Sequence, residues 1–132
     1  MFMLPSWLRL MDFQYHEGEI SAKLGDFKSH LSMAPSEYYR RNVGIGASCV
    51  RRDDLDERAA IGPSQIMWGS DFPHPEGTWP NTHAYYRETF SGLPEVDGRN
   101  ILGENAVAFY GLDRDRLQQV ADDIGPDTSI FN

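Results

Sequence analysis

The sequence has a single cysteine, Cys49, and no C-x-x-C pair among its 132 residues. That excludes an intramolecular disulfide and fits a reducing compartment, so a cytoplasmic setting is expected. Positive charge is also scarce. Twelve Lys and Arg against twenty Asp and Glu give a net charge of -8, which argues against nucleic acid or an anionic membrane as partner, since both need a basic face. No apolar run is long enough to span a bilayer. The opening "MFMLPSWLRL" is apolar, but it is too short and lacks a basic lead, so it reads as packed structure of the kind found inside a larger fold. There is no internal repeat and no low-complexity segment, and the 40% apolar and 24% charged content excludes wholesale disorder. A length of 132 residues fits a single domain.

What is present alternates between helix and strand signals. "PSWLRLMDF" places Trp7, Leu8 and Met11 at helical spacing, with Ser6 as a candidate N-cap. Residues 14–34 lack a clean period and read as a connection with a short helical piece. Pro35, Ser36 and Glu37 start a short helix. "NVGIGASCV" (42–50) and "SQIMWGS" (64–70) read as buried strands, separated by the charged helix "RRDDLDERAAIG" that Gly62-Pro63 stops. Strand, helix, strand predicts a parallel pair with a right-handed crossover. Three more helical regions follow. The first is capped by Asn81 and ends near Gly92, the second breaks near Gly103 and stops at Gly111, and the third is capped by Asp113 and stopped by Gly125. Residues 126–132 are expected to fray.

The densest chemistry lies in "QIMWGSDFPHPEGTWPN", residues 65–81. Asp71 stands where the second strand ends, and in parallel α/β folds functional groups collect at strand ends. A carboxylate there can bind a metal or act as a general base, in a turn stiffened by Pro73, Pro75 and Pro80. The alternative is a turn-capping Asp that bonds its own backbone. His74, three residues on, can share the pocket and bind metal or substrate, or simply serve the turn. Glu76 and Thr78 line the same loop, either reaching a substrate or solvated. Trp68 and Trp79 flank the position, and either can stack on a substrate or pack in the core. Cys49 reads as a buried inert thiol, the run "DDLDER" as a solvated helix face, and one tyrosine of each pair, Tyr38/Tyr39 and Tyr85/Tyr86, as packed inward.

"IMWGSDFPHPEGTWPN" followed by "ILGENAVAFYGLD" resembles the C-terminal signature of the amidohydrolase-related family of metal-dependent hydrolases and decarboxylases. The likeness extends from about Pro35 to Asp113. It implies α/β architecture belonging to the C-terminal part of a (β/α)₈ TIM barrel, with about two parallel strands and several helices. It also implies that Asp71 ends the eighth strand as a catalytic metal ligand. By the same resemblance the cofactor of the complete fold is a divalent metal such as zinc, and the substrates are small carboxylated or cyclic compounds; their place in the loop beside Asp71 makes His74, Glu76 and Trp79 the candidate substrate-binding residues. The sequence departs from the family in one respect: its histidines are His16, His30, His74 and His83, and none forms the H-x-H pair that family members carry on their first strand. A full barrel also needs roughly 250 residues. The chain therefore reads as one partial domain with an incomplete metal site, possessing no cofactor of its own if the missing ligands are not supplied. The rival expectation is a non-catalytic module that self-associates or docks onto a complementary chain.

Overall fold

The structure is a computed structural model and describes residues 3–17, 25–26 and 28–132. Two compact units are present, Met1–Val43 and Gly44–Asn132.

In the first unit, α1 (Leu4–Glu17) and α2 (Pro35–Asn42) are joined by a segment that includes a 3₁₀ turn at Lys28–His30. That turn is the short helical piece expected between residues 14 and 34; residues 18–24 and 27 lie outside the described residues. Ser6 is not the N-cap. The helix begins at Leu4 with Pro5 in its first turn, where a missing N–H costs nothing, and Ser6 lies inside it. The start of α2 is held from two sides: the Glu37 carboxylate accepts the Ala34 N–H at 2.8 Å, and Asp12 of α1 accepts the Ser36 N–H at 2.8 Å. These bonds satisfy donors that a helix start leaves open. The hydroxyl of buried Tyr39 has no partner among the described residues, and burial raises its pKa. The apolar opening is less enclosed than its composition predicts, because Trp7, Leu10 and Phe13 are exposed along α1.

The second unit carries the expected strand, helix, strand order. β1 (Ile45–Ser48) and β2 (Ile66–Gly69) pair in parallel, with Ile45 opposite Ile66 and Ser48 opposite Gly69. The crossover is two short helices, α3 (Arg52–Asp56) and α4 (Arg58–Ile61), in place of the single charged helix expected. The sequence then forms α5 (Thr82–Phe90), α6 (Glu95–Arg99), a π-turn (Asn100–Glu104), α7 (Asn105–Tyr110) and α8 (Arg114–Ile124). No break occurs at Gly103. The Asn105 N–H bonds the Asn100 carbonyl five residues back, so the helix widens and continues from α6 into α7. It stops where expected, at Gly111 with φ +63°. Asp113 caps α8 through the Arg116 N–H, whereas Asn81 stands at the start of α5 without a side-chain cap bond.

Leu55, Ile61, Ile66, Phe90 and Ile101 are the largest fully buried side chains, one each from α3, α4, β2, α5 and the π-turn. Each contributes roughly 1.5–3 kcal/mol by leaving water. Polar ties fix the layers between them. Arg58 of α4 meets Asp97 of α6 at 2.7 Å, and the Asn105 side-chain amide donates to the carbonyls of Pro63 and Ile66 at 2.7 and 2.8 Å.

The tail corrects another expectation. Residues Thr128–Phe131 form a 3₁₀ turn capped by Asp127, Ile130 and Phe131 are buried, and the Phe131 carbonyl accepts the Gly92 N–H at 2.9 Å. Two apolar residues at the end of a polar tail give it something to bury. No helix among the described residues is long and apolar enough to cross a membrane.

Candidate functional site

Both strands end in backbone that L-residues rarely adopt. Cys49, just past β1, has φ +51°, and Asp71, just past β2, has φ +60°. A left-handed conformation costs a non-glycine residue about 1–2 kcal/mol. It persists because the loop after β2 is over-determined. The Asp71 carbonyl accepts the His74 N–H at 2.7 Å, the His74 carbonyl accepts the Gly77 N–H at 2.9 Å, and the Ser70 carbonyl accepts the Thr78 N–H at 3.0 Å. The chain thus closes on itself between Ser70 and Thr78. The Phe72–Pro73 and Trp79–Pro80 bonds are cis.

The side chains sort differently from the simplest sequence reading. The turn-capping bond open to Asp71 has no donor two residues on, where Pro73 lacks an N–H, and the Ser70 hydroxyl accepts the Phe72 N–H at 3.3 Å. The Asp71 carboxylate instead faces the His74 imidazole, Oδ2 to Nδ1 3.6 Å, with both side chains partly exposed. Nδ1 accepts the Glu76 N–H at 3.3 Å. With Nδ1 accepting this N–H, a neutral His74 holds its proton on Nε2 and can donate from it toward solvent or substrate.

Glu76 is exposed, and its carbonyl accepts a hydrogen bond from the Cys49 thiol at 3.3 Å. Cys49 is therefore not the buried inert thiol expected. It is half-buried and ties the end of β1 to the loop after β2. Thr78 is buried, its hydroxyl 3.0 Å from that of Thr82 at the start of α5, so it anchors the loop. The two tryptophans part company. Trp68 stands edge-on to buried Tyr86 at 4.8 Å between ring centres, and its indole N–H is buried without a partner among the described residues. Trp79 is 68% exposed and edge-on to Phe72, itself 63% exposed, at 5.8 Å. Phe72 was missed in the sequence. Its neighbours in "SDFPH" draw attention as polar groups, and only the closed loop reveals that it meets Trp79. Of the tyrosine pairs, Tyr39 and Tyr86 are the buried members.

The loop thus gathers a carboxylate, an imidazole N–H donor and two exposed rings. It can accept a proton at Asp71, donate one hydrogen bond from His74 and present an apolar aromatic surface. It does not fit a resident zinc by itself. A catalytic zinc takes three protein ligands, and among the described residues no group of three or more His, Cys, Asp or Glu side chains could hold a metal.

Residues 55–112 match the amidohydrolase family model, described as "Amidohydrolase". The match spans β2, the closed loop and the helices to Leu112, and it is a partial match consistent with a piece of an amidohydrolase-family protein. A comparison with curated proteins finds no match.

Proposed function

From an amidohydrolase segment at residues 55–112, we propose that this chain supplies part of a metal-dependent hydrolase or non-oxidative decarboxylase site for small organic substrates. Asp71 is its central group. The observation that carries this reading is that Asp71, just past the end of β2, holds a costly left-handed conformation with its carboxylate facing the His74 imidazole. Strained backbone of this kind clusters at functional positions. In hydrolysis, Asp71 takes a proton from the attacking water as its oxygen adds to the substrate's electrophilic carbon, and His74 Nε2–H donates to the oxygen that gains charge. Phe72 and Trp79 offer a surface for a cyclic substrate. Glu76 has its side chain at the loop rim, and a minor part in binding suits it. The reducing cytoplasm suits the single free thiol.

Among the described residues no further ligands gather with Asp71, so no step is assigned to the metal. Two measurements test the reading. The chain alone, dialysed after zinc loading, is expected to retain no stoichiometric zinc. Grafted as residues 35–132 onto the N-terminal part of a longer amidohydrolase, it is expected to restore metal-dependent turnover. In that chimera Asp71→Asn should lower turnover by about 10²–10⁴-fold, the range of a lost general base, and Glu76→Gln should change it only slightly. Turnover that survives Asp71→Asn within a few-fold overturns the assignment.

The second reading, an assembly module without catalysis of its own, is favoured by the two-stranded sheet, because parallel sheets are normally covered and extended on all sides.

A further inference from the structure

We propose that the cavity between the π-turn, α7, α8 and the C-terminal 3₁₀ turn is a second binding site, one that takes a neutral, largely apolar ring compound bearing a carbonyl-type acceptor oxygen.

The cavity lies wholly within the second unit and measures about 820 Å³, inside the roughly 300–1,000 Å³ of small-molecule sites. Its lining is mainly aliphatic: Leu102 and Val107 come from the long helix, Leu117, Val120 and Ile124 from α8, and Ile130 from the tail. Val120 and Ile124 are 52% and 71% exposed, so α8 leaves apolar surface in water that a ligand would displace. None of residues 70–79, which form the Asp71 loop, lines this cavity. The two sites are separate. The volume also selects the size of the occupant, because a helix ~10 Å across would fill the space in roughly two turns, too little to seat a partner helix.

Two observations point to a ligand. The helix widens into the π-turn at the cavity wall, where Leu102, Gly103 and Glu104 all line it, and π-bulges within α-helices occur often at functional sites. At Gly103 nothing stands within 4 Å of where a Cβ would be, so the wall there is bare backbone. The second observation is Tyr86. It lines the cavity, is 9% exposed, and its hydroxyl has no hydrogen-bond partner among the described residues. A buried hydroxyl left unpaired is unfavourable, and an acceptor on a ligand removes the penalty.

Charge selects a neutral compound. Arg114 is held by Glu104 and Arg99 by Glu95, each at 2.7 Å. Asp122 accepts from the Gln118 amide and Asp127 from the Ser129 N–H. Three carboxylates (Glu104, Asp122, Asp127) against two guanidiniums (Arg99, Arg114) in the lining leave no free cation for an anionic ligand and disfavour one. The buried donor that remains is the Tyr86 phenol. Tyr86 and Phe131, both in the lining, supply aromatic surface that suits a ring.

The test uses the 132-residue chain and the neutral fluorescent naphthyl ketone prodan as probe. Saturable one-to-one binding with blue-shifted emission is expected, with NMR amide shifts confined to the cavity lining. Tyr86→Phe removes only the hydroxyl and should weaken binding about 5–10-fold, the worth of one hydrogen bond. Gly103→Leu places a side chain in the cavity at a helical position that favours leucine over glycine, so binding should be lost while circular dichroism and Tm are kept or raised. If that variant does not fold, shift mapping on the unmutated chain decides without it. Naphthoate, which carries a carboxylate on the same ring system, should bind at least about tenfold more weakly. The proposal is overturned by no saturable binding, by shifts centred elsewhere in the chain, by binding unchanged in either folded variant, by naphthoate binding as tightly as the ketone, or by binding confined to a self-associated form in sedimentation.

Discussion

The Cys49 thiol donates to the Glu76 carbonyl at 3.3 Å, joining the end of β1 to the loop that carries Asp71. Cys49 and Asp71 are also the two non-glycine residues with positive φ among the described residues. The two strand ends are therefore held as one assembly, and the consequences are measurable.

Gly77 closes the Asp71 loop. A Cβ there would lie 2.8 Å from the Ser70 carbonyl oxygen and 3.0 and 3.1 Å from those of His74 and Asp71. These are backbone atoms already engaged in the loop's hydrogen bonds, so they cannot move aside cheaply. Gly77→Ala is expected to destabilise the chain by about 1–3 kcal/mol, as overpacking does. Urea unfolding monitored by circular dichroism checks this.

Asp71 should show the opposite balance. Asp71→Gly relieves the left-handed conformation at φ +60° and is expected to leave stability unchanged or raise it by up to about 1 kcal/mol. In the chimera described above, the same variant should be inactive. A variant that is more stable and inactive marks a residue kept for function, and paired unfolding and turnover measurements read both effects.

On the acid side, Arg114 grips Glu104 with two hydrogen bonds of 2.7 and 3.0 Å and holds its carboxyl below the ordinary 4.5. A depressed folded pKa means that the stabilisation is fully present above pH 4.5 and is lost as pH falls through the lowered folded value. The pair is partly exposed, so its contribution is small and weakened by salt. Glu104→Gln should be less stable than the parent at pH 7 and converge with it once the pH falls below the lowered folded value, as followed by urea midpoints.

On the alkaline side, burial pushes the Tyr86 phenol up to about 12 from an ordinary 10.0. The folded state then holds a proton that the unfolded state releases. The stabilisation from this group is present below pH 10 and is lost as pH rises toward 12. Tyr86→Phe should flatten this decline in part, the rest arising from Tyr39 and Tyr85, whose pKa values burial also raises. Thermal melts between pH 9 and 11 would show the difference.

By itself the sequence determined the order of elements and pointed to the strand end where the candidate site lies. Small and β-branched runs bounded by charge and Gly-Pro specify two strands around a helical crossover, because these signals are local and act through backbone preference and burial, whereas "GSD" at the end of the second singles out Asp71 through the family resemblance; β1 is the less buried of the two, with Gly46 and Ser48 exposed. Only tertiary structure decided what Asp71 faces. Its side chain is set beside His74, and Phe72 meets Trp79, because a loop closed between Ser70 and Thr78 brings together groups whose spacing in sequence implies no contact. Tertiary packing likewise turned the expected break at Gly103 into a π-turn, where the fully buried Ile101 and the bonds of Asn105 to β2 keep the helix intact. It also folded the tail, since Ile130 and Phe131 are buried in the unit that contains Gly92, about forty residues away in the chain. Contacts between residues distant in sequence leave no local period to read, and for that reason they were visible only in the fold.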